Sequence, residues 1–177
     1  MGFSIELLQN KVDWYQKKLS LTSDEFCKVV AKYPTIFIPS IEDDKMDNKI
    51  AHLQQIFELN NEEFKEFFLS RPEIVALSAE DNIEPKLELY GSLIGKERAR
   101  KLVVESSNLL LGSMKTLINP RLKEVDKAYE YVKWTETLLR RLVTRQPKAW
   151  CAYMLDDAPR GPGEKLDDSG KYKRRWK

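Results

Sequence analysis

The sequence predicts an all-α fold, a solenoid of helical repeats, and three observations carry that expectation. Residues 21–40 (LTSDEF…KYPTIFIPS) match residues 59–78 (LNNEEF…SRPEIVALS), and residues 105–122 (ESSNLLLGS…LINPRL) match 70–87 (SRPEIVALS…NIEPKL). Apolar residues recur at helical spacing. No segment sustains period-two alternation, so no sheet is expected. A period in the thirties marks a supersecondary unit that cannot bury its apolar face alone and stacks on its neighbours. Function should then lie on the surface of the stack and not in a catalytic pocket.

Residues 5–19 read as the closing helix of a partial N-terminal repeat (1–19), with Lys11-Val12 matching Lys86-Leu87. The first full unit opens with Thr22 and Glu25, a capping box in which hydroxyl and carboxylate each satisfy a backbone N–H. Phe26, Val29, Val30 and Tyr33 form its stripe. Pro34 stops the helix, because it lacks an N–H and disfavours helical geometry at Tyr33. Ile36-Phe37-Ile38 should tuck beneath the helices, and Cys27, beside the stripe, should be a small buried group. Ser40 and Asp43 open the next helix, with Met46, Ile50, Leu53 and Phe57 as its stripe.

The second unit repeats the plan. Asn60 and Glu63 cap, Phe64, Phe67 and Phe68 pack, Pro72 stops, and Ile74, Val75 and Leu77 fill the turn. Ser78 and Asp81 restart a helix with Ile83, Leu87, Tyr90 and Ile94 inward. Pro85 falls early in it, either in the first turn, where its missing N–H is harmless, or as a kink. In the third unit Ser107 stands where Pro72 would be. Pro120-Arg121-Leu122 matches Pro85-Lys86-Leu87, and Ile118, Leu122, Val125, Tyr129 and Val132 make a long stripe. A fourth unit begins near Thr135, where Leu139, Leu142, Val143 and Pro147 align with Phe64, Phe67, Phe68 and Pro72. The successive spacings Pro34 to Pro72, Pro72 to Ser107 and Ser107 to Pro147 are 38, 35 and 40 residues. Loops absorb such differences; the stripes do not. The repeats span 20–150, leaving 151–177 as a non-repeat basic tail.

The pattern Pro72-x-x-Val75-x-x-Ser78-x-Glu80-x-Asn82-Ile83-x-Pro85-Lys86-Leu87 resembles the repeat of the mTERF (mitochondrial transcription termination factor) family, and residues 20–148 resemble consecutive units of it. The resemblance implies about three to four two-helix units, each with a short 3₁₀ turn, in a left-handed superhelix. It implies residence in the mitochondrion, with the plastid as alternative. It also implies nucleic-acid binding along a cationic groove, in transcription, RNA processing or ribosome assembly.

Composition narrows the classes. Cys27 and Cys151 suggest no disulfide framework, and with His52 they are too few for a zinc cluster. No apolar run is long enough to span a membrane. MGFSIELLQN shows no secretory signal, and Glu6 spoils a myristoylation string starting at Gly2. Gly91-Ser92-Leu93-Ile94-Gly95-Lys96 fails as a phosphate-binding loop: one residue short, Glu97 in place of the magnesium-holding hydroxyl, and a helix before it. The acidic pairs 43–44, 62–63, 156–157 and 167–168 read as helix starts and solvated loops. His52 reads as a surface or partly packed residue, and Trp14, Trp134 and Trp150 as core or interface. No enzyme, catalytic residue, metal or cofactor is expected.

Charge gives the remaining lead. Residues 1–120 carry 15 Lys+Arg against 19 Asp+Glu, whereas residues 121–177 carry 15 against 9. A cationic C-terminal third suits a polyanion. Arg71, Lys86, Arg121 and Lys123, at repeat turns and helix starts, are candidate nucleic-acid contacts. So are Arg140, Arg141, Arg145 and Lys148 around the fourth unit, and Lys173, Arg174, Arg175 and Trp176 in the tail, where aromatics can stack on unpaired bases. The expected partner is RNA or double-stranded DNA. The alternative is a structural subunit of an organellar ribosome, held by rRNA and ribosomal proteins. A pure protein scaffold is the third reading.

Overall fold

The computed structural model describes residues 4–39, 41, 45–128, 132 and 134–144. Among them are nine α-helices and no strand: α1 (Ile5–Lys18), α2 (Ser23–Lys32), α3 (Lys45–Phe57), α4 (Asn61–Ser70), α5 (Glu84–Ile94), α6 (Lys96–Glu105), α7 (Asn108–Leu111), α8 (Asn119–Ala128) and α9 (Glu136–Thr144). The expected all-α helical repeat is present. The chain divides into two compact units, Met1–Pro85 and Lys86–Lys177.

In the first unit both opening helices start as their sequences dictate. The Thr22 amide donates to Glu25 at 2.8 Å and the Glu25 amide to the Thr22 hydroxyl at 3.2 Å. Asn60 and Glu63 repeat the pair at 2.9 and 3.0 Å. Helix α2 buries Phe26 and Val29, and α4 buries Phe64, Phe67 and Phe68. Tyr15 of α1 stacks between Phe26 and Phe68, with ring centroids 5.9 and 6.0 Å away. Each opening helix ends before its proline, and a 3₁₀ turn follows: Pro34–Phe37 after α2, Pro72–Ala76 after α4. Ile36, Ile74 and Val75 are buried. The expectation for Ile36-Phe37-Ile38 needs correction, because Ile38 is 66% exposed. A 3₁₀ turn has three residues per turn, so a side chain two places after the buried one cannot share its face. Helix α3 buries Met46, Ile50, Leu53 and Phe57 as expected; its proposed cap residues, 40 and 43, lie outside the described residues.

The closing helices hand over through left-handed residues, Ser20 at φ 51° and Glu58 at φ 55°. Between α5 and α6 the connector is Gly95 alone, at φ 94°, where other residues are strained. This is where the 35-residue spacing loses its length. Helix α6 buries Ala99, Leu102 and Val103, in the i, i+3, i+4 spacing of Phe64, Phe67 and Phe68.

Two π turns, Ala79–Ile83 and Met114–Ile118, lead into α5 and α8. Each is capped by a serine, Ser78 accepting from Asp81 and Ser113 from Thr116. Pro85 sits in the first turn of α5, where it disrupts nothing. The inward face of α5 is Lys86 and Tyr90, while Leu87 and Ile94 are only half-buried. In α8, Arg121 and Val125 are buried and Leu122 is half-buried. The same arrangement holds in α1, where Lys11 is buried and Val12 half-buried. Leu138, Leu139, Leu142 and Val143 of α9 are buried, and Thr135 caps that helix through Leu138. Tyr129 and Pro147 lie outside the described residues.

Candidate nucleic-acid interface

The cations fall into two physical kinds. The first kind is internal. Lys11 Nζ donates to the carbonyls of Phe37 and Pro39, the latter at 2.7 Å, and Tyr15 Oη, one turn on, donates to Ile36 at 3.5 Å. In the second unit Lys86 Nζ donates to the Leu110 carbonyl, and Tyr90 Oη to Leu109 at 2.9 Å. Phe37 and Leu110 occupy the same place in their turns, as do Ile36 and Leu109. One Lys-x-x-x-Tyr pair on a closing helix therefore pins the backbone of the next turn in both units. Arg121 serves α8 in a related way, donating to the Leu142 carbonyl in the last turn of α9.

Lys86 and Arg121, proposed above as nucleic-acid contacts, are corrected on this ground. They are 2% and 5% exposed, with their charged groups spent on backbone carbonyls. Burial pushes the Lys86 ammonium below its ordinary range. They turn inward, as Lys11 does in α1, because carbonyls of the following turn or helix accept their charge.

The second kind is exposed. Lys123 lies on the surface of α8 with Lys127 one turn on and Lys115 before it. The run Lys96-Glu97-Arg98-Ala99-Arg100-Lys101 puts four cations in six residues of α6, of which Lys96, Arg98 and Lys101 are exposed. Sequence reading passed over this run, although its density was visible. Helix α6 also differs electrostatically from α2 and α4. Those begin with Asp24-Glu25 and Glu62-Glu63, which complement the partial positive charge of a helix N-terminus. In α6 Glu97 alone does so, and Lys96 and Arg98 on either side of it oppose it.

The other candidates vary. Arg71 is half-buried in the turn after α4, 3.7 Å from Glu73. Arg140 pairs with Glu105 at 2.9 Å, and Arg141 is half-buried beside it. Arg145, Lys148, Lys173, Arg174, Arg175 and Trp176 lie outside the described residues. So does Trp150; Trp14 and Trp134 are half-buried.

A cleft of about 470 Å³ in the first unit is lined by Lys45, Lys49, His52, Ser78 and Glu80 among others. It is mixed in sign. His52 Nε2 lies 3.0 Å from Glu84, and Glu80 is held below the usual carboxylate range by its backbone hydrogen bond and by Ser78. A polyanion gains little there. Among the described residues no group of three or more His, Cys, Asp or Glu side chains is placed to hold a metal ion, and no helix is long and apolar enough to cross a membrane.

Alternating opening and closing helices, pinned by recurrent Lys–Tyr ties, define a helical-repeat protein of two-helix units. The mTERF family model matches residues 1–148, and the chain belongs to the mTERF family. No curated protein and no solved structure matches it. Members of this family are in general nucleic-acid-binding helical-repeat proteins of mitochondria or plastids, and in general not enzymes.

Proposed function

We propose that the protein binds RNA or double-stranded DNA in organellar gene expression, in the mitochondrion, through the outer cations of its second unit and its basic tail. One observation carries the reading. Residues 1–85 hold 9 Lys+Arg against 16 Asp+Glu, whereas residues 86–177 hold 21 against 12. Lys96 and Arg98 strengthen it, because at the start of α6 each costs the helix about 0.3–1 kcal/mol. Glu97, between them and paired with Lys101 at 2.8 Å, offsets part of that cost; phosphates would offset the rest. The site is thus Lys96, Arg98, Lys101, Lys115 and Lys123, with Arg140, Arg141, Arg145, Lys148, Lys173, Arg174, Arg175 and Trp176 as further contacts; Arg71, on the first unit, is a separate candidate contact.

Filter binding of the full chain to RNA and to duplex DNA across salt concentrations tests this. Log affinity should fall linearly with log salt, by about 0.9 per phosphate neutralised on duplex DNA and about 0.7 on a single strand. A Lys96→Glu, Arg98→Glu, Lys123→Glu triple variant should flatten that slope. Absence of binding at about 50 mM salt removes the reading.

A second reading, a structural subunit of an organellar ribosome, is favoured by an apolar groove on the first unit. It predicts co-sedimentation of the native protein with ribosomal particles; free low-mass material contradicts it.

A further inference from the structure

The first unit carries a groove of about 500 Å³ between α1, α2 and the Pro34 turn, floored by Val12, Phe26, Cys27, Val30, Ala31 and Phe37. Cys27, expected to be buried, is exposed in it. The internal repeat says what shape belongs there. A shift of 38 residues carries Ser23, Cys27, Val30 and Ala31 of α2 onto Asn61, Lys65, Phe68 and Leu69 of α4. On α4 that face is covered by α2. Lys65 Nζ donates to the Ser20 carbonyl at 2.9 Å and pairs with Glu25 at 3.1 Å, and Lys32 Nζ donates to the Leu69 carbonyl at 2.9 Å. The equivalence is visible in hydrogen bonds as well. Gln54 donates to Asn61 at 2.8 Å, and Gln16, 38 residues earlier, donates to Ser23 at 3.2 Å.

The groove on α2 is therefore the seat that α4 offers to α2, one repeat step earlier. Among the described residues no helix precedes α1 to fill it. Its chemistry differs from the filled seat in one respect: Cys27 stands where Lys65 supplies a cation, so this copy is more apolar. Its carbonyl acceptor is kept, since Ala31 takes the place of Leu69.

We propose that the groove docks an amphipathic α-helix of a partner polypeptide, with an apolar face and a lysine or arginine near the C-terminal end of that face. The cation copies Lys32, which reaches from α2 to the equivalent Leu69 carbonyl of α4. The apolar residues enter between α1 and α2, and the cation donates to the Ala31 carbonyl. This surface is separate from the cations of the second unit, and the proposal does not depend on nucleic-acid binding.

The test uses the full chain carrying Cys151→Ser, so that Cys27 is its one thiol. The probe is a synthetic peptide of residues 21–38 with its own Cys27 replaced by Ser, which reproduces α2 and its turn. Saturating peptide should slow alkylation of Cys27 by about tenfold, because a thiol reacts only when reachable. A peptide with Lys32→Ala should bind about fivefold more weakly, the loss of one hydrogen bond. Ala31→Trp in the protein, at an exposed position that spares the core, should abolish protection while circular dichroism stays unchanged. Unprotected Cys27 at millimolar peptide overturns the proposal, as does equal protection in the Ala31→Trp variant. Protection that appears on raising protein concentration alone assigns the groove to a second copy, and protection by RNA or DNA assigns it to a polyanion; either result also overturns it.

Discussion

The two units are built alike and charged oppositely. Lys11 and Tyr15 pin the Pro34 turn; Lys86 and Tyr90 pin the Ser107 turn through the same two carbonyl positions. Yet residues 1–85 are net acidic and residues 86–177 net basic. What the units share is what the repeat needs in order to fold. What separates them lies on the surface, in Lys96, Arg98, Lys115 and Lys123. A cation in this chain thus has to be assigned by its face before it is assigned a role.

The sharpest way to break the likeness is to remove the tyrosines. Tyr15 and Tyr90 are fully buried, and each fills its unit's core while holding a backbone carbonyl. Tyr15→Ala or Tyr90→Ala should cost about 3–5 kcal/mol in chemical denaturation, the usual penalty for truncating a buried ring. Tyr90→Phe, which keeps the ring and orphans the Leu109 carbonyl, should cost about 1 kcal/mol. Burial also pushes both phenols well above their ordinary value of 10. A group whose folded pKa is raised stabilises fully below its unfolded value, so stability should hold to about pH 10 and fall above it. Tyr15→Phe and Tyr90→Phe should each blunt that alkaline loss.

Next come the buried cations. Lys86→Ala and Arg121→Ala each orphan a buried carbonyl and should lower stability by about 1–3 kcal/mol. Under conditions where the fold persists, neither should change the salt dependence of nucleic-acid binding. Reversing Lys96, Arg98 and Lys123 should do the opposite, raising the melting temperature slightly and flattening the salt slope. If Lys86→Ala flattens that slope as much as the surface triple does, the division into internal and external cations is wrong.

These contrasts mark how far the sequence could be read. The capping boxes at Thr22 and Asn60, the stops at Pro34 and Pro72 and the stripes of α3, α4 and α9 follow from local rules, and the structure reproduces them, whereas of the α2 stripe Phe26 and Val29 are buried and Val30 and Tyr33 only half-buried. The inward faces of α5 and α8 do not, because Lys86 and Arg121 are drawn inside by backbone carbonyls more than twenty residues further along the chain, leaving Leu87 and Leu122 half-buried. No local rule places such an acceptor. The likeness of Lys11-Val12 to Lys86-Leu87 was legible, but its meaning was not, since the acceptor carbonyls lie more than twenty residues away. Cys27 was misjudged for a related reason: its neighbours form a buried stripe, while its own side faces a seat that no described helix fills. Helix α6 and its cations were overlooked because Gly95 shortens the connector and removes the cap that announced α2 and α4.

The Ser107 turn sharpens the comparison further. Ser106 adopts φ −136° and ψ 63°, nearly the values of Tyr33 (φ −140°, ψ 76°) and Arg71 (φ −143°, ψ 72°), although no proline follows it. Packing and the Lys86–Tyr90 tie therefore hold this conformation by themselves. Ser107 itself, at φ −59°, is within proline's range, and its buried hydroxyl has no hydrogen-bond partner. Ser107→Pro should stabilise the protein by about 0.4–1 kcal/mol, chiefly by restricting the unfolded chain. Pro72→Ser in the first unit should do the reverse, and thermal melts of the two variants should move in opposite directions.

The smallest effect concerns the acids that begin the opening helices of the first unit. The Glu25 carboxylate is held below its ordinary value of 4.5, first by the Thr22 amide and then by Lys65. With the folded value depressed, the unfolded chain takes up the proton first as pH falls. The stabilisation is complete above the ordinary value and is lost as pH drops through the folded one. Glu25→Gln should therefore melt below wild type at pH 7, and the gap should close by pH 3. A gap that stays constant would mean that the capping box acts through shape and not through charge. The second unit offers the control. At the same point of α6 stand Lys96 and Arg98, so Lys96→Glu should raise the melting temperature at pH 7 while weakening nucleic-acid binding. Stability and binding moving together on that substitution would undo the assignment of this helix start to a polyanion.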